Sequence, residues 1–153
     1  MSRLSIRLLK ADETPPWALL LESDPTRGEV ETYLPRGRCY LAFEGGRLVG
    51  AFVLMDTRPH VVEIMNIAVA PELQSRGIGT RLLRAAVRLA RKQGAEALDV
   101  GTCNCCFREL AFYQRFGFRM VSIDRDFFAR RSSVIERIDG IVIRDMVHLS
   151  IEL

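Results

Sequence analysis

The chain contains 153 residues, and no apolar run in it approaches the roughly 20 residues that a membrane-spanning helix needs. Its first residues lack the pattern of a secretory signal peptide, so we expect a cytoplasmic protein with no membrane partner. There is no Gly-Lys pair, which excludes the Walker phosphate loop. No reader motif and no basic patch interleaved with aromatic residues occurs, which argues against nucleic acid as a partner.

Cysteine is scarce, and no second cysteine cluster completes a zinc site, so we expect no metal. A cytoplasmic location argues against disulfides. We therefore interpret the cysteines as small buried or half-exposed thiols. The chain has four of them: Cys39, Cys103, Cys105 and Cys106.

Hydrophobic residues make up 48% of the chain and charged residues 27%, which is typical of a globular domain with a substantial core. We find no repeat and no linker, so residues 1–153 are predicted to form one mixed α/β domain. Apolar periodicity and turn residues predict the order of its elements. Strands are expected at residues 5–9, 39–43, 47–55, 61–69, 95–100, 118–123 and 142–151, and helices at 15–23, 29–34, 81–93 and 107–116.

Residues 74–80 are the most informative segment, because they join the apolar strand to the helix at 81–93. Free backbone N–H groups at the start of a helix form a binding site for phosphate, and glycine lets a ligand approach the backbone closely. A dinucleotide-binding turn would need a third glycine where Leu82 stands, which leaves Q-x-x-G-x-G. That pattern alone fits an anion-binding turn or a turn whose glycines serve packing. Basic residues in and after the turn favour an anionic ligand.

The chain resembles the GNAT superfamily, the Gcn5-related N-acetyltransferases, in four features that follow one another in the order found in that family. They are the strand at 66–69 followed by Pro71, the Q-x-x-G-x-G turn, Asn104 after the next strand, and the Y-x-x-x-G-F pattern over residues 113–118. The resemblance is strongest over residues 63–118 and extends over nearly the whole chain. It implies the GNAT fold, a splayed and mostly antiparallel sheet of six or seven strands with about four helices.

The resemblance also implies acetyl-CoA as the co-substrate. In such proteins the backbone of the turn holds the pyrophosphate and the end of the preceding strand pairs with the pantetheine arm. Asn104 commonly bonds the arm, although an Asx-turn is an alternative. Thr80 would contact a phosphate or cap the helix. The cofactor-binding candidates are Ile67, Ala68, Val69, Gln74, Ser75, Arg76, Gly77, Ile78, Gly79, Thr80 and Asn104.

Acetyl transfer to an amine needs a neutral amine, a polarised thioester carbonyl and a proton for the thiolate. Tyr113 stands where the family places its general acid; the structural alternative is a packed ring. Glu63 matches the glutamate base of the histone-acetylating branch. Asp99 is the rival, because residues 98–100 resemble the strand that carries the base in the branch acting on ribosomal-protein N-termini. Strict alternation along the strand places Glu63 on the face of Met65 and Ile67.

The sequence leaves the acceptor amine open. The family usually binds it between the early helices, here residues 15–34, and the loop at 124–140, which carries charges of both signs. The alternative function is an inactive acyl-CoA-binding sensor, and a third is a basic surface protein that binds nucleic acid or anionic lipid. A homodimer is expected only because dimers are common in the family that the chain resembles.

Overall fold

The structure, a computed structural model, describes residues 2–153 in two compact units. The first unit ends at Glu96, and the second covers Ala97–Leu153. The family-like segment predicted at 63–118 runs through both units. A single domain over residues 1–153 stays a prediction.

The first unit contains four strands that pair antiparallel in chain order, together with three helices. A short 3-10 helix, Pro71–Leu73, leads into the turn before the last helix. The strands are β1 (Leu4–Leu8), β2 (Arg38–Glu44), β3 (Arg47–Arg58) and β4 (Val61–Val69), and the helices are α1 (Trp17–Ser23), α2 (Arg27–Tyr33) and α3 (Ile78–Lys92).

A β-bulge interrupts the pairing of β3 with β4. Val53 lies opposite Asn66, but the next residue of β3, Leu54, lies opposite Ile64. The extra residue on β4 is therefore Met65. A bulge of this kind changes which side chains share a face of the sheet.

The bulge corrects the predicted orientation of Glu63. Residues directly opposite each other in an antiparallel pair point to the same face. Glu63 lies opposite Met55, and Asn66 lies opposite Val53. Since Met55 and Val53 both pack in the core beneath α1 and α2, Glu63 shares that face with Asn66. The expectation that Glu63 shares a face with Ile67 was wrong, because strict alternation does not allow for the extra residue.

Helix α3 begins three residues earlier than the predicted 81–93. Gly77 adopts the left-handed conformation, with φ of 81°, and stands at the N-cap. Ile78 is then buried, with 4% of its surface exposed, and anchors the first turn. Gly94, with φ of 82°, follows the helix as predicted.

Close packing of α3 on β3 depends on Gly50. A Cβ atom at this position would lie 2.9 Å from the carbonyl oxygen of Ala68 and 2.9 Å from Cδ1 of Leu82. The absence of a side chain on Gly50 lets the buried side of α3 approach the strand. That side comprises Ile78, Leu82, Leu83, Ala85, Ala86, Val87 and Ala90.

The second unit contains three strands that pair antiparallel in the order β5, β9, β6. The segment predicted as a loop at 124–140 includes the start of a small two-stranded hairpin. The strands are β5 (Ala97–Cys103), β6 (Arg119–Asp124), β7 (Arg137–Ile138), β8 (Ile141–Val142) and β9 (Met146–Glu152), and the helix is α4 (Phe107–Phe116).

Two cysteines form a disulfide, which corrects the interpretation of all four as thiols. Cys103 ends β5 and Cys106 is the N-cap of α4, and the turn between them brings their Cα atoms to 5.2 Å. This separation lies in the normal range for a disulfide. Cys39 and Cys105 are free and buried, as expected.

The predicted mixed α/β class is confirmed. Four strands pair antiparallel within the first unit. Within the second unit three strands and a separate two-stranded hairpin do so, and four α-helices accompany the strands of the two units. Among residues 2–153, no helix combines the length and apolar character that crossing a bilayer requires.

Gly50→Ala should destabilise the protein by about 1–3 kcal/mol, because the added methyl group overlaps backbone and core atoms that cannot easily move. The free energy of unfolding from urea denaturation measures this. Gly28→Ala is the matched control, since nothing lies within 4 Å of a Cβ there. It should leave stability unchanged or raise it by up to about 1 kcal/mol. Equal losses at both positions would contradict the packing explanation.

Candidate active site

The turn at residues 74–80 has an unusual backbone. Ser75 has φ of 64°, and Gly77 has φ of 81°, so the chain twice adopts the left-handed region within three residues. Nothing lies within 4 Å of a Cβ built on Gly77, so the backbone conformation, rather than packing, is what calls for glycine. The helix start is therefore open on this side.

After Gln74, whose N–H donates to the carbonyl of Pro71 at 3.4 Å, the main-chain N–H groups of this turn lack partners in the described part of the chain. Within residues 2–153, the N–H groups of residues 75–80 donate no hydrogen bond, and no side chain caps α3. Arg81 is the first residue whose N–H enters the helix, donating to the carbonyl of Gly77 at 3.2 Å. Six consecutive donors at the positive end of a 15-residue helix have the chemical character that favours an anion.

The side chains of the turn differ in their availability. Gln74 donates from Nε2 to the carbonyl of Val69 at 3.2 Å, which fastens the turn to the end of β4. Arg81 donates to Glu44 at 3.1 Å and to the carbonyl of Ser2 at 2.7 Å, so it is occupied. Arg76 is exposed. Thr80 does not cap α3, because the N-cap is Gly77; the capping alternative for Thr80 was wrong.

The end of β4 leads directly into the turn. Ile67, Ala68 and Val69 lie opposite residues 52, 51 and 50 of β3. Ala68 is buried, whereas Ile67 and Val69 are half-buried. The cofactor-binding candidates at 67–69 and 74–80 thus form one continuous segment of the first unit.

Tyr113 lies on α4 in the second unit and is 5% exposed. Its ring lies 5.3 Å from that of Phe112 and 5.8 Å from that of Phe118, measured between centroids. Burial raises the pKa of the Tyr113 phenol, so the hydroxyl keeps its proton to higher pH than an exposed tyrosine does. This hydroxyl makes no hydrogen bond within the described part of the chain.

Asn104 braces the segment before β9. Its Nδ2 donates to the carbonyl of Val142 at 3.1 Å, and its Oδ1 accepts from the N–H groups of Arg144 and Asp145 at 2.9 and 3.0 Å. An asparagine side chain has two donor hydrogens and two acceptor positions. One Nδ2 hydrogen therefore remains for a ligand.

The two candidate bases lie in different units. Glu63 is half-buried on β4 of the first unit. Asp99 is half-buried on β5 of the second, opposite Ser150 of β9. Both residues already interact with other parts of the chain. Among residues 2–153, no three His, Cys, Asp or Glu side chains converge as a metal ion would require.

The sequence did not reveal a polar network on the α1–α2 face of β4. Asn66, 3% exposed, donates from Nδ2 to the carbonyl of Leu20 at 2.9 Å and to the hydroxyl of Tyr33 at 3.0 Å. The Tyr33 hydroxyl donates to Asp24 at 3.2 Å. An asparagine within the apolar strand V-V-E-I-M-N-I-A-V was the one sequence signal that could have indicated this network.

An open cleft of about 460 Å³ lies elsewhere in the first unit, at the turn between β3 and β4. Residues 56–62 and 93–95 line it, so it adjoins the C-terminal end of α3. None of the predicted site residues lines this cleft.

Comparison with known proteins agrees with the resemblance seen in the sequence. The family model described as the acetyltransferase (GNAT) family matches residues 6–118. The N-acetyltransferase YvbK of Bacillus subtilis (strain 168) is 42% identical over 153 residues, which cover 100% of this chain and 99% of that protein.

Solved structures agree over nearly the whole length. A Bacillus subtilis acetyltransferase in complex with CoA has a TM-score of 0.92 at 42% identity, with 99% of each chain covered. A GNAT family acetyltransferase from Elizabethkingia anophelis with acetyl-CoA bound has a TM-score of 0.94 at 34% identity, with 98% of each chain covered. This chain therefore has the GNAT fold, belongs to the acetyltransferase (GNAT) family and is an acyltransferase.

Proposed function

We propose that this enzyme transfers the acetyl group of acetyl-CoA to a primary amine of a small molecule, peptide or protein, by direct attack in a ternary complex. One observation carries the proposal, namely the six unpartnered N–H groups of residues 75–80 at the start of α3. A pyrophosphate offers several charged acceptor oxygens to such a row of donors. Structures of similar proteins hold CoA or acetyl-CoA, which supports this ligand.

Main-chain atoms do most of the proposed binding. The N–H groups of residues 75–80 would hold the pyrophosphate, and the exposed Arg76 would add positive charge. Residues 67–69 would pair with the pantetheine arm, and the remaining Nδ2 hydrogen of Asn104 would bond the same arm. Main-chain N–H near residues 67–69 would polarise the thioester carbonyl as an oxyanion donor does.

The proposed chemistry needs one acid and one base. Tyr113 would protonate the departing thiolate, because its buried phenol is protonated at neutral pH and its hydroxyl is not engaged by another residue of the described chain. Glu63 would take the proton of the attacking amine. Glu63 lies on the same face of β4 as Asn66 and its network, beneath α1 and α2. For an acceptor bound near these helices, this position favours Glu63 over Asp99 as the base.

Gly79→Pro should weaken acetyl-CoA binding, because it deletes one N–H of the turn. Proline is tolerated in the first helical turn, where the N–H has no helical partner. One hydrogen bond to a charged group contributes about 1.5–3 kcal/mol, so the Kd should rise about 10- to 100-fold. Titration calorimetry measures the Kd.

Gly79→Ala is the matched control, since it keeps the N–H and adds only a methyl group. Its Kd for acetyl-CoA should stay within about threefold of the unmodified enzyme. Circular dichroism checks that α3 forms in both variants. A folded proline variant with unchanged affinity would contradict the proposed role of the turn.

Tyr113→Phe should lower kcat about 100-fold or more, because a general acid contributes a factor of that order. Since burial raises the pKa of Tyr113, the decline of kcat at alkaline pH in the unmodified enzyme should lie above the usual tyrosine value of about 10. Single-turnover measurements report the chemical step directly. Tyr40→Phe, at another buried tyrosine, is the control and should keep full activity.

Glu63→Gln should remove the rise of kcat/KM with pH that marks an essential base, whereas Asp99→Asn should keep it. The two pH–rate profiles, measured with the same amine and saturating acetyl-CoA, decide between the carboxylates. The reverse result would assign the base to Asp99. Unchanged profiles in both variants would remove both residues from this role.

A further inference from the structure

The hydrogen bonds between Asn66, Tyr33 and Asp24, on the α1–α2 face of β4, all run in one direction, with Asn66 as the first donor and Asp24 as the last acceptor. Both Nδ2 hydrogens of Asn66 are donated, one to Leu20 and one to the oxygen of Tyr33. The single hydrogen of Tyr33 is then donated to Asp24 Oδ2 at 3.2 Å. Every donor in this series is used, and the series ends on a carboxylate.

The positions that remain unfilled are acceptors. Asn66 Oδ1 is fully buried and accepts no hydrogen bond within residues 2–153. Turning the amide would not help, because Nδ2 is held by the carbonyl of Leu20. A buried polar atom without a partner is rare and calls for an explanation.

Asp24 is half-buried without a cation. Its Oδ1 accepts from the N–H of Thr26 at 3.2 Å, and no Lys, Arg or His of residues 2–153 forms an ion pair with it. The neighbouring Arg27 is directed elsewhere, donating to Glu31 at 3.2 Å and lying 4.0 Å from the ring centroid of Trp17. Burial raises the pKa of Asp24, as expected for a carboxylate that lacks a positive partner.

Such a site, short of donors and of positive charge, is complementary to an ammonium group. Buried carboxylates in proteins are normally paired with a cation, because desolvation of an isolated charge is costly. The bulge at Met65 places Glu63 on the same face of β4 as Asn66. The proposed base and the incomplete network thus face the same side of one sheet, within one unit.

We propose that Asp24, supported by Tyr33 and Asn66, binds a cationic group of the acceptor. The inference rests on the proposed acetyl transfer and narrows its substrate class to amines that carry a second positive charge, such as diamines. The attacking amine must be neutral, so the charge that Asp24 recognises belongs to another group of the same molecule. Asp24 is then a specificity-determining residue and not a catalytic one.

Binding is tested first, without turnover. Calorimetry measures the affinity of 1,4-diaminobutane for the protein saturated with CoA. Asp24→Asn keeps the shape and the acceptor for Thr26 but removes the charge, and should weaken binding about tenfold or more, as expected for one charge-assisted hydrogen bond. Glu22→Gln, at an exposed carboxylate of α1, is the matched control and should bind as the unmodified protein does.

Specificity is tested with two amines of equal length. At saturating acetyl-CoA, kcat/KM for 1,4-diaminobutane should exceed that for 4-amino-1-butanol about tenfold, because only the first keeps a positive charge when its reacting amine is neutral. In Asp24→Asn, the ratio of the two kcat/KM values should fall close to one, because the KM for the diamine rises. The kcat and the KM for acetyl-CoA should not change. A merely structural role would not alter this ratio.

The outcomes separate the inference from the proposed function. Failure of the unmodified protein to bind 1,4-diaminobutane, or equal binding by Asp24→Asn, would overturn the inference. Acetyl transfer with equal kcat/KM for both amines would overturn it too and leave the proposed function standing. Binding without acetyl transfer to any amine would contradict the proposed function alone.

Should Asp24→Asn fail to fold, judged by circular dichroism, Tyr33→Phe replaces it as the test. This change removes the hydroxyl that joins Asp24 to Asn66 and leaves the ring in the core. Like Asp24→Asn, it should lower the ratio of kcat/KM for 1,4-diaminobutane to kcat/KM for 4-amino-1-butanol. A folded Tyr33→Phe protein with the full preference would overturn the inference.

Discussion

The pairing of β3 with β4 determines where the predicted site residues of the first unit lie. This pairing includes one extra residue on β4, Met65. β3 is buried along most of its length and every second residue of β4 is buried, so the register of the pair is strongly specified by the core. The bulge at Met65 puts Glu63 and Asn66 on the face that packs beneath α1 and α2. Past the bulge, β4 continues into the turn that starts α3. A change of register by one residue would move each of these groups to the other face.

The turn at 74–80 and the network on the α1–α2 face of β4 have opposite hydrogen-bonding and charge character. The turn at 74–80 presents unused hydrogen-bond donors and the positive end of a helix, which suits a phosphate. The network of Asp24, Tyr33 and Asn66 presents unused acceptors and a carboxylate without a cation. An anionic donor substrate and a cationic acceptor are therefore complementary to different parts of one unit. The same chain would discriminate between its two substrates by charge as well as by shape.

The second unit carries two of the predicted site residues, one of them buried and the other held by local hydrogen bonds. Tyr113 packs against Phe112 and Phe118, and its burial raises the pKa of its phenol. Asn104 uses three of its four hydrogen-bonding positions to hold residues 142–145, so its first role is structural. The disulfide between Cys103 and Cys106 encloses Asn104 in a short loop.

The sequence by itself determined the mixed α/β class, the course of β4 and α4, the glycine turn and the membership of the family. These follow from short-range patterns: periodicity within an element, backbone freedom at Gly77, and motifs spaced along the chain. The tertiary structure decided the face on which Glu63 lies, the true start of α3, the bond between Cys103 and Cys106, and the network around Asn66. The face of Glu63 depends on one inserted residue in a strand pair, and the Asn66 network joins residues far apart in the sequence. The start of α3 and the disulfide depend instead on the backbone conformation that two short turns adopt in the folded chain. Local propensity carries no information about such register and long-range contacts, because only packing selects them.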